Sequence, residues 1–102
     1  MTNDETLIEA AERDDTKGII AAIQAGADVN TTDDDGCTAL MEAAWMGKNE
    51  AIKILVELGA VGDPTDKYGQ TALMIATKRG HTEAVKILTE LGAKNSGDEN
   101  DK

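Results

Sequence analysis

Little in this chain can do covalent chemistry. Its 102 residues include one histidine, His81, and one cysteine, Cys37. No Ser–His–Asp or Cys–His grouping can be assembled from them, and the ligand set of a zinc site is missing. A lone cysteine also excludes an internal disulfide, and with it the small secreted scaffold that depends on cystines. Long apolar runs are absent. Residues 1–15 are acidic and lack the basic and apolar regions of a secretory signal, so a soluble cytoplasmic protein is the expectation.

Basic residues are scarce as well. Ten Lys and Arg stand against twenty Asp and Glu, for a formal charge of -10. Residues 1–35 hold ten of the acids against only Arg13 and Lys17, whereas residues 66–102 hold six of each sign. Such a field disfavours nucleic acid and anionic membranes, which need clustered Lys and Arg. It either steers a basic partner inward or simply keeps a small protein soluble. Phenylalanine is missing altogether, leaving Trp45 and Tyr68 as the only large aromatics.

What the chain does have is a period of 33 residues. Gly36, Thr38, Ala39, Leu40, Met41, Ala43 and Gly47 return as Gly69, Thr71, Ala72, Leu73, Met74, Ala76 and Gly80. Ile54, Leu55, Leu58, Gly59 and Ala60 return as Ile87, Leu88, Leu91, Gly92 and Ala93, and the same step backwards meets Leu7, Ala10, Ala22, Gly26 and Ala27. A repeat of this length cannot bury its own apolar face and must stack on its neighbours. An extended binding surface follows more naturally than a closed catalytic cavity.

Each unit spells two short helices. Thr38 precedes a run in which Leu40, Ala43 and Ala44 share a face, and Gly47 stops it. A second helix over about Asn49 to Leu58 buries Ile52, Leu55, Val56 and Leu58, pairs Lys53 with Glu57 on the outside, and ends on a left-handed Gly59. The next copy predicts helices over Thr71 to Lys78 and Thr82 to Leu91, stopped by Gly80 and Gly92. Asp34-Asp35-Gly36 and Lys67-Tyr68-Gly69 put a glycine where a tight turn needs positive φ, so each junction reads as a protruding hairpin. Ala43, Ala44 and Ala76 let neighbouring helices approach; a larger residue there would cost roughly 1 to 3 kcal/mol.

The pattern resembles the ankyrin repeat. Asp33, Gly36, Thr38, Leu40, Ala43, Ala44 and Gly47 match its unit in the middle copy; Asp66, Gly69, Thr71, Leu73, Ala76, Gly80 and His81 match in the last, and Gly26-Ala27-Asp28-Val29-Asn30 closes the first. Ala39 and Ala72 stand where the family usually has proline, and Met41 and Met74 where it usually has histidine. The implied fold is an all-α ankyrin-type repeat solenoid of stacked antiparallel helix pairs with protruding hairpin loops. A single domain over residues 1–102 is expected, with repeats at about 5–32, 33–65 and 66–95. The first copy, opening near Thr6-Leu7-Ile8, reads as a cap, and the acidic tail 96–102 as disordered.

The single residues are mostly structural. His81 matches the family histidine that hydrogen-bonds within its turn. Asp33-Asp34-Asp35 lacks the spaced ligands and closing glutamate of a calcium loop, so a solvated hairpin is the reading and no metal or cofactor is expected. Cys37 is a partly exposed thiol whose pKa the neighbouring aspartates raise. Met41 and Met74, at one repeat position, are packing filler.

Family geometry implies that a partner meets the hairpin tips and the first helices. Carried onto this sequence, those positions are Asp34, Asp35, Trp45, Met46, Lys67, Tyr68, Gln70, Lys78 and Arg79, together with Cys37 and Thr65. Trp45 is either an interface anchor or a lid lying on Met46 and the adjacent unit. Glu12, Asp34 and Asp35 make one end acidic, while Lys67, Lys78 and Arg79 make the other basic. A monomeric, non-enzymatic module that binds a protein or peptide with a basic segment is the resulting expectation. The alternative is a stand-alone designed or minimal scaffold without a natural partner, against which Gly62-Asp63-Pro64 and the unpaired Cys37 argue.

Overall fold

The computed structural model describes residues 2–96. Among them are six helices: α1 (Asn3–Glu12), α2 (Thr16–Gln24), α3 (Ala39–Met46), α4 (Asn49–Glu57), α5 (Ala72–Arg79) and α6 (Thr82–Ser96). The first helix of each pair starts on a threonine, for one physical reason. Extended backbone at Thr2, Thr38 and Thr71 lets each hydroxyl accept the amide of Glu5, Met41 and Met74. Thr2 completes a capping box, its own amide donating to Glu5 Oε1 at 2.8 Å. That box starts α1 at Asn3, ahead of the expected Thr6.

The helices stack in two layers, α1, α3 and α5 in one and α2, α4 and α6 in the other. Ala43, Ala44 and Ala76 are fully buried between them, beside Leu7, Ile19, Leu40, Ile52 and Leu55. Left-handed Gly47 (φ 69°) and Gly80 (φ 76°) end α3 and α5. Gly92 does not end α6, which runs on to Ser96. The tail expected from residue 96 onward therefore begins at a residue that is still helical, and residues 97–102 lie outside the described residues. Two details of α4 also differ from expectation. Lys53 pairs with Glu50 at 3.5 Å rather than with Glu57. Leu58, at the C-cap, is exposed rather than part of the buried stripe.

Side chains stitch successive repeats together. Lys48 offers α4 no capping side chain, and Asp14 of the preceding repeat supplies it, accepting from the Ala51 amide at 2.9 Å. Asp14 holds a left-handed φ of 59° to do so, at the repeat position that Gly47 and Gly80 fill later. Asn30 spans the next junction, its Oδ1 accepting from the Val61 amide at 3.1 Å. No helix of the described residues is long and apolar enough to cross a membrane.

Candidate functional groove

Two hairpins built alike form the rim. Asp33 Oδ1 accepts the amides of Asp35 and Cys37, each at 2.9 Å, and Asp66 Oδ1 accepts those of Tyr68 and Gln70, each at 2.9 Å. Oδ1 of Asp33 is thus engaged in holding its turn. The second hairpin docks on the first, the Lys67 amide donating to the Asp35 carbonyl at 3.0 Å. Gly36 turns the first hairpin with a left-handed φ of 79°, a conformation that side chains rarely adopt.

Between these hairpins and the exposed faces of α3 and α5 lies an open groove of about 740 Å³. Asp35, Trp45, Lys67, Tyr68, Gln70, Lys78 and Arg79 all line it. Asp34 points elsewhere and lines a shallower hollow towards α1, and Met46, exposed at the end of α3, is outside the groove. Trp45 is 46% exposed and Tyr68 74%, an unusual state for the only two large aromatics in the chain.

Each aromatic carries a cation of its own chain. The Arg79 guanidinium sits 4.3 Å above the Trp45 ring, and Lys67 Nζ lies 5.3 Å from the Tyr68 centroid. One face of Trp45 is therefore covered by a cation of the following repeat. Lys67 Nζ also pairs with Asp35 at 2.8 Å, and this carboxylate raises its pKa. The pairing cancels part of the acid-to-base gradient expected along the groove.

Three groups on the floor escaped the list of expected contact residues. Met41 and Ile75, both almost fully buried, lie beneath the groove, and half-buried Glu42 lines it beside the first hairpin. Burial first, then the charge of Glu12, a side-chain hydrogen bond with Asp33, and the charges of Asp33 and Asp35 push the Glu42 pKa up to about 7. Glu42 and Ile75 occupy the same repeat position, so the sequence did carry the signal: an acid and an isoleucine exchanged inside an otherwise faithful copy. Cys37, half-buried, has its pKa pushed to about 11, mainly by burial and then by Asp33 and Glu42. The cause is thus wider than the neighbouring aspartates alone. Asp33, Cys37 and Glu42 bring potential ligand atoms within 4.8 Å of one another.

His81 bonds across the repeat boundary and not within its turn. Its Nε2 lies 3.0 Å from the Trp45 carbonyl, which can only accept, so this nitrogen carries the proton.

A family model for ankyrin repeats, three copies in tandem, matches residues 7–98. The chain belongs to the ankyrin repeat family, whose domains are non-catalytic scaffolds. No curated protein matches it.

Proposed function

We propose that this ankyrin repeat protein is a non-enzymatic interaction module whose partner, a protein or peptide, occupies the groove between the hairpins and the α3 and α5 faces. One observation carries the reading: the chain spends its only tryptophan and tyrosine on this groove, both exposed, rather than on its core. Aromatics cost free energy in water yet dominate interface hot spots. The Arg79 clamp fixes the Trp45 ring before any partner arrives, which lowers the ordering cost of binding.

Affinity capture with wild type and Trp45→Ala side by side tests it. Loss of Trp45 should weaken a specific partner by about 2 kcal/mol, roughly thirtyfold, with helicity unchanged. Equal capture of every specific partner by the two forms would remove Trp45 from the site. Repeated failure to capture anything would leave the scaffold reading.

A further inference from the structure

Arg13 and Arg79 stand at the same repeat position, two periods apart, and so do Glu9 and Ile75. In the first repeat the acid lies one turn before the base, and Arg13 pairs with Glu9 at 3.4 Å. In the third, isoleucine removes that acid. Arg79 reaches back across the repeat boundary instead, and its guanidinium lies 4.3 Å above the Trp45 ring. Lys78 beside it has Met74 and Thr82 one turn to either side, and among the described residues neither base makes an ion pair. The acids of the groove are engaged elsewhere: Asp35 with Lys67 at 2.8 Å, Oδ1 of Asp66 with two backbone amides, and Glu42 with Asp33. The α5 side of the groove therefore holds two positive charges that lack an anion.

We propose that this groove reads one carboxylate of its partner, an Asp or Glu side chain that the Arg79 N–H groups receive beside the Trp45 ring, with Lys78 supplying a second positive charge. The inference rests on the groove reading above and names the chemistry of its occupant. A guanidinium lying over an aromatic ring uses its face there, while its donors lie in its own plane and match the two oxygens of a carboxylate. The ring also holds that fork in place, so less side-chain freedom is lost when the anion arrives. A carboxylate suits the site better than a phosphate, because a dianion would meet Asp35, Asp66 and Glu42 in the same groove. The formal charge of -10 repels a strongly acidic partner at long range, so the segment around that one carboxylate is neutral or basic.

The test selects short random displayed peptides on wild type and measures the enriched ones on Arg79→Gln, Arg79→Lys and Trp45→Ala, after circular dichroism has shown all four proteins folded. Wild type should enrich one fixed Asp or Glu position. Replacing that acid by its amide should lower affinity roughly tenfold or more, and so should Arg79→Gln. Made together, the two changes should cost little more than either alone, because both remove the same contact. Arg79→Lys, which keeps the charge and loses the planar fork, should recover only part of the affinity. Peptides that need Trp45 but show no acidic position, or for which the two losses simply add, would overturn this inference and leave the groove standing. Tighter binding of a peptide with phosphoserine in place of the acid would make the pair a phosphate site and also overturn it. Peptides indifferent to Trp45, or none at all, would sink both readings.

Discussion

His81 covers Gly47 of the preceding repeat while its Nε2 donates to the Trp45 carbonyl at 3.0 Å. A Cβ on residue 47 would lie 2.7 Å from His81 Nδ1, and the φ of 69° is one that side chains rarely adopt. The glycine is thus required twice, by its backbone and by its neighbour's ring. Gly47→Ala should destabilise by about 1 to 3 kcal/mol in urea unfolding. In a His81→Ala background the loss should shrink, because only the backbone strain remains. Strict additivity of the two substitutions would show that the ring contact is not felt.

Met41 and Met74 share a repeat position but not an environment. Met41 is 2% exposed beneath the third repeat, and Met74, with no following repeat over it among the described residues, is 51% exposed. Leu40 and Leu73 divide in the same way, at 1% and 36%. Met41→Ala should therefore cost about 2 to 5 kcal/mol and Met74→Ala no more than about 0.5 kcal/mol. Similar midpoint shifts in chemical unfolding would contradict this division.

The same pair shows how far the sequence could be read. A strict period makes each copy predict its neighbour's helices, caps and small-residue seam, so the stacked pairs and most groove residues could be placed. Periodicity says nothing of what lies beyond the final copy, and there Met74 departs from Met41. Contacts between copies were hidden for a different reason. Lys67 with Asp35, Asp14 with the Ala51 amide and His81 with Trp45 join residues more than thirty positions apart, and their pairing depends on how the repeats rotate against each other. Local spacing had favoured Glu57 for Lys53, and it carried no warning that α6 would continue through Gly92. Glu42 was overlooked because it also reads as an ordinary first-turn acid on α3.

Cys37 should be a sluggish thiol. Nucleophilic attack requires thiolate, and a pKa of about 11 leaves very little of it near neutrality. Alkylation by iodoacetamide at about pH 8 should run roughly a hundredfold slower than that of an unhindered cysteine, and recover after unfolding in guanidinium. Equal rates for folded and unfolded protein would mean that burial and the surrounding carboxylates do not control the site.

Glu42 should make the fold less stable as the solution becomes alkaline. Its pKa rises from 4.5 to about 7 on folding, so between those values the native state holds more protons than the unfolded chain. The contribution is complete below the unfolded value, is lost as pH climbs through about 7, and changes no further above that. Half-burial and solvent screening reduce it to about 1 to 2 kcal/mol. General repulsion within a chain of net charge -10 acts in the same direction, so wild type alone cannot separate the two. Glu42→Gln can, because it removes the titrating group and preserves the shape. Unfolding midpoints measured from about pH 4.5 to about pH 8 should fall more steeply for wild type than for the variant, the curves diverging towards the alkaline end. Parallel curves would mean that Glu42 ionises as freely in the fold as outside it, and that the groove floor is wetter than its packing implies.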